Sequence, residues 1–110
     1  MSENYNGWSN YESWVTALWM GNDEGSQTYY EEEAQRCWEE AEPESSRFYQ
    51  LQTREVCAVS LLAILLEEEF EEGNPLVDRA DVYSDLLNSA LGEVNWYEIA
   101  EHYIDALEKE

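Results

Sequence analysis

One hundred and ten residues suffice for one domain, and 44% apolar residues with five Trp, eight Tyr and two Phe supply the buried area that disordered acidic chains lack. Twenty-six acidic residues against five basic ones give a formal net charge of −21, which excludes a surface that attracts nucleic-acid phosphate. The composition therefore predicts one acidic domain over 1–110 that folds and does not itself bind DNA or RNA.

No basic segment followed by an apolar run opens the sequence, so no signal peptide is expected. The longest nearly apolar stretch, Val56 to Leu66, is interrupted by Ser60 and too short to span a bilayer. Cys37 and Cys57 stand in no CxxC or Cys/His spacing, which reads as two reduced thiols in a cytoplasmic protein.

The periodic segments predict an all-α chain, a compact four- or five-helix bundle. Ser9 and Glu12 have the spacing of a capping box, and Tyr11, Trp14, Val15, Leu18 and Trp19 follow as the apolar stripe of a first helix that stops at Gly21. A second helix is expected from about Ser26 to Ala41, with Tyr30, Ala34, Cys37, Trp38 and Ala41 inward and Pro43 beyond its end. The third is expected to start near Ser45 or Ser46 and run to Glu72. Its seam of Val56, Val59, Ala63, Leu66 and Phe70 suits either the core or a homodimer interface. Gly73-Asn74-Pro75 ends it. The fourth, about Arg79 to Leu91, directs Val82, Leu86, Leu87, Ala90 and Leu91 inward and stops at Gly92. Asn95 with Glu98 caps the fifth, whose stripe is Trp96, Ile99, Ala100, Tyr103, Ile104 and Leu107.

The opening Asn6-Gly7-Trp8-Ser9-Asn10-Tyr11-Glu12-Ser13-Trp14, with Leu18-Trp19 following, resembles a family of small uncharacterised acidic proteins found in phages, plasmids and prokaryotic genomes. Val82-Tyr83-Ser84-Asp85-Leu86-Leu87-Asn88 and Val94-Asn95-Trp96-Tyr97-Glu98-Ile99-Ala100 fit the same resemblance. It implies no catalytic residues. It does imply a mobile genetic element, where inhibitors of host defence are common products.

Three acidic groups are the candidate binding residues: Glu31, Glu32 and Glu33; Glu39, Glu40, Glu42 and Glu44; and Glu67, Glu68, Glu69, Glu71 and Glu72. The second and third fall at predicted helix C-termini, where each carboxylate meets the negative end of the macrodipole at a cost of about 0.3–1 kcal/mol. Like charges such as Glu67 and Glu71 add smaller penalties. Arg36, Arg47, Arg54, Arg79 and Lys109 are too few to offset them. A chain shaped for stability alone would interleave cations, so a partner-binding role competes here with solubility or salt adaptation. A globule of this length is roughly 34 Å across, and duplex DNA carries about 20 charges over that distance. Charge per length thus permits nucleic-acid mimicry.

Enzyme chemistry finds no support. His102 is the sole histidine, its spacing from Glu98 is not Glu-x-x-His, and HExxH, calcium-loop and phosphate-loop patterns are absent. No cofactor or metal is expected. The five Trp read as core residues, with Trp8 a staple before the Ser9 cap or an exposed contact. The reading that follows is a non-enzymatic inhibitor, of anti-restriction or anti-CRISPR type, that occupies the groove of a basic nucleic-acid-handling protein. The alternative is an acidic helical interaction module whose charge serves solubility.

Overall fold

A computed structural model describes residues 7–41 and 53–107, in which the chain forms five α-helices and no strand. These are α1 (Tyr11–Met20), α2 (Glu24–Glu40), α3 (Arg54–Glu72), α4 (Val82–Glu93) and α5 (Trp96–Asp105). The all-α expectation holds, with five helices in one small domain.

The core lies where α3 meets α2 and α5. Leu62, Leu66, Ile99 and Ile104 are fully enclosed there, and each such side chain contributes about 1.5–3 kcal/mol on burial. Ala34, Ala58 and Ala100 are completely covered, and their small side chains let the three helices approach closely. Tyr29 on the early part of α2 meets Glu69 near the end of α3, whereas Arg54 at the start of α3 reaches Trp38 near the end of α2. The α2–α3 pair is therefore antiparallel. The seam read from Val56 to Phe70 lies in this core: Val59 and Leu66 are buried, and Ala63 and Phe70 are packed against the core cluster.

α1 and α4 form a smaller pair on one side of this layer, and α1 also touches α2 and α5. Both helices depart in part from the expected orientation. On α1 Ser13 and Met20 are enclosed and Ala17 between them is half-buried, at one-face spacing, while Tyr11, Leu18 and Trp19 are exposed. On α4 the polar Ser84 is buried and Val82 and Leu86 are exposed, whereas Leu87, Ala90 and Leu91 are half-buried on the expected inner side, Leu91 against the core. The cause is the same in both. Ser84 donates to the Arg79 carbonyl and Ser13 accepts from the Asn95 N–H, so hydrogen bonds hold small polar residues inside where apolar pattern alone would put large ones.

The helix starts also differ in detail. Asn10, not Ser9, caps α1, its extended backbone letting the side chain accept from the Ser13 N–H at 2.9 Å. Asp23, Thr53 and Asp81 cap α2, α3 and α4 in the same way. With Thr53 extended, α3 begins at Arg54; the expected start near Ser45 or Ser46 lies outside the described residues, as do Pro43 and Arg47. Gly92 does not stop α4, which continues to Glu93. Asn95 caps α5 as expected, accepting from the Glu98 N–H. Between α3 and α4 the buried Asn74 accepts from the Leu76 N–H and donates to Asn88, fixing the turn.

Candidate functional site

The segment before α1 is fastened to the start of α5. The Ser9 N–H and hydroxyl both donate to the Glu98 carboxylate, at 3.0 and 2.8 Å. Asn10 donates to the Glu93 carbonyl at 2.8 Å, and the Asn95 N–H donates to the enclosed Ser13 hydroxyl at 2.7 Å. Gly7, at φ +93°, takes a left-handed backbone that favours glycine and turns the chain into this segment. The result seats the Trp8 ring 5.4 Å from that of His102.

With Trp8 held there, α1, α2 and the end of α5 enclose an open groove of about 900 Å³. Trp8, Trp14, Ala17, Leu18 and Leu107 supply its apolar wall. Glu31, Glu32, Gln27 and Gln35 line the opposite, α2 side, and none of the described lining residues is Lys or Arg. Gln27 donates to Glu31 and Gln35 to Glu39, so the amides brace the carboxylates from their own helix. From Trp8 a row of rings runs through His102, Tyr103 and Tyr30 to Tyr29. Burial pushes the Tyr103 and Tyr30 phenols up. The row ends where the Tyr29 hydroxyl donates to Glu69 at 2.6 Å, a bond that, with burial, pushes the Tyr29 phenol up to about 12.

The acidic groups do not form solid blocks. Glu31 and Glu32 line the groove, but Glu33 is half-buried and pairs with Arg36. Arg36 also lies 3.6 Å from Glu40, so these two glutamates are partly neutralised, while Glu39 is exposed beside them. Glu42 and Glu44 lie outside the described residues. In the third group Glu69 turns to α2, and Glu67 and Glu71 line a second cleft of about 360 Å³ with Phe70, Asn88 and Trp96. Glu68 and Glu72 are exposed. The antiparallel pairing of α2 and α3 sets Tyr29, near the start of α2, against Glu69 near the end of α3. Glu31 and Glu32, however, stand mid-helix on the groove and Glu67 and Glu71 on the second cleft, so the first and third groups do not form one patch. Glu39 and Glu40 sit at the other end of the pair.

No group of His, Cys, Asp or Glu among the described residues is arranged to hold a metal ion. Cys37 is buried, with its thiol pushed up to about 11 by that burial, the opposite of the shift a nucleophilic thiolate needs. No helix among the described residues is long and apolar enough to cross a membrane. Trp96 is buried and Trp8, Trp14 and Trp38 are half-buried, but Trp19 is 66% exposed and is not a core residue.

Sequence patterns did not reveal the groove, because its walls come from three elements. The usable signals were one-turn repeats, Trp14 with Leu18 and Glu31 with Gln35, each readable as an ordinary helix face. Beyond the chain itself, no curated protein and no solved structure matches it. The sequence profile of one family spans residues 1–109, and the chain belongs to that family, a family of unknown function (DUF7249).

Proposed function

We propose that the protein is a non-enzymatic inhibitor that occupies the nucleic-acid-binding groove of a basic protein, its carboxylates taking the place of phosphates. The observation that carries this reading is the last turn of α3, where Glu68, Glu71 and Glu72 are exposed and no cation stands among them. Dipole and like-charge penalties at that helix end gain nothing for folding, which points to selection for a partner. Scale supports it in part. The long axis is 46 Å, not the 34 Å of a compact sphere, and duplex of that length carries about 27 charges against the chain's 21. The imitation is thus of a somewhat diluted duplex. The resemblance to proteins of phages and plasmids makes host defence, of restriction or CRISPR type, the natural setting, in the host cytoplasm.

The test is capture of a partner from host lysate, followed by competition between this protein and the partner's own DNA or guide RNA. Mutual exclusion that weakens steeply with salt is expected. A partner that holds nucleic acid and a saturating amount of this protein together defeats the reading.

A second reading has its own observation. Trp19, Tyr83, Leu86 and Val82 are each at least 60% exposed on α1 and α4, more apolar surface than solubility favours. An interaction module working through this side would bind with little salt dependence.

A further inference from the structure

We propose that the groove between α1, α2 and α5 receives an arginine-bearing amphipathic helix from a protein partner. Phosphate imitation needs only an acidic exterior, whereas this groove pairs carboxylates with an aromatic floor. Trp8 and Trp14 line it on one side, and Glu31 and Glu32 line it on the α2 side. A guanidinium satisfies both at once, stacking on indole while donating to carboxylate, which a compact ammonium does less well. The chain uses this chemistry itself: the Arg54 guanidinium lies 4.4 Å from the Trp38 ring centre and donates to the Trp38 carbonyl at 2.9 Å.

The walls indicate a helix and not a free small cation. Trp14 and Leu18 repeat one turn apart along α1, as Glu31 and Gln35 do along α2, each step being about 6 Å. Side chains on one face of an incoming helix repeat at the same interval. A volume of about 900 Å³ holds several such side chains, many times one guanidinium. Charge decides the partner's sign, because the described residues of the lining include two carboxylates and no Lys or Arg. Gln27 engages one oxygen of Glu31, leaving the other for a donor.

The test uses the full chain and peptides of roughly four helical turns carrying Leu with two Arg, Lys or Gln at one-turn spacing. Titrations at physiological salt are read by the indole N–H resonances of Trp8 and Trp14. The Arg peptide should move both, the Lys peptide should bind about 3–10-fold more weakly, and the Gln peptide weaker still. Glu31→Gln with Glu32→Gln should weaken the Arg peptide about tenfold or more while the thermal melt is unchanged. Glu68→Gln with Glu71→Gln and Glu72→Gln should leave its affinity within about twofold, since those groups lie outside the groove. The proposal is overturned if the indoles do not move, if no peptide binds, or if the two charge variants lose affinity equally. The last result would mark diffuse attraction to an acidic surface and would leave phosphate imitation standing.

Discussion

Ser9 and Glu98 are 89 residues apart and close on each other through two hydrogen bonds, from the Ser9 N–H and from its hydroxyl. Each residue belongs to one of two sequence motifs that read as separate helix starts. In the folded chain they form one junction, with Asn10 and Asn95 capping α1 and α5 on either side. The opening motif therefore does structural work, and its most distinctive residues set the position of Trp8.

That junction predicts measurable coupling. Ser9→Ala and Glu98→Ala should each lower stability by about 0.5–1.5 kcal/mol, and the double variant by less than their sum. Ser13→Ala should cost more, about 1–3 kcal/mol, because it strands the Asn95 N–H beside a fully enclosed position. Urea denaturation of the four variants checks this. Strict additivity at Ser9 and Glu98 would mean the bonds do not hold the junction.

The two ends of the tryptophan set should separate sharply. Trp96 is buried and packs its ring 5.1 Å from Phe70, so Trp96→Ala should cost about 3–5 kcal/mol. Trp19→Gln should change stability by less than about 0.5 kcal/mol, since its ring is mostly in solvent. Iodide should quench the emission of Trp19 well before that of Trp96.

These contrasts explain what could be read in the sequence. Helix existence followed from periodicity, and the orientation of α3 and α5 followed from strong stripes such as Trp96, Ile99, Ala100, Tyr103 and Ile104. Orientation failed in part on α1 and α4, where Ser13 and Ser84 are buried by hydrogen bonds that involve sequence-distant or local backbone groups. No periodicity reports such a bond. The acidic residues were visible as runs, but a helix turns 100° per residue and sent Glu67, Glu68 and Glu69 in different directions. Their neighbours depend on α2 and α4, which linear spacing does not encode.

Alkaline pH should lower the stability of the protein in a defined window. The Cys37 thiol rises from 9.0 to about 11 in the folded chain, so its contribution is complete below pH 9 and lost as pH climbs through 11. Tyr29 acts in the same direction between about 10 and 12. It is 43% exposed, so solvent screening makes its share the smaller one. Urea midpoints should be level to about pH 9 and then fall. Tyr29→Phe should flatten the part above pH 10. Native Cys37 should also resist iodoacetamide at pH 8, and rapid alkylation there would contradict its burial.

The exposed end of α3 gives the sharpest separation of folding from binding. Glu68, Glu71 and Glu72 are exposed, and no described residue forms a salt bridge with them. Replacing all three with Gln keeps helix propensity nearly constant and removes three charges from the negative end of the helix. Thermal stability should therefore hold or rise slightly, most visibly at low salt, where like-charge repulsion is least screened. Binding to a nucleic-acid-handling partner should weaken, and the dependence of log affinity on log salt should become shallower because fewer ion pairs form. The two effects have opposite signs, so a general loss of structure cannot imitate them. A melt beside each titration makes the comparison direct. If the variant binds as tightly as the parent at every salt concentration, this helix end does not stand in for phosphate. Binding would then have to run through the Glu31–Glu32 groove or the apolar side around Trp19 and Leu86, which respond to salt differently.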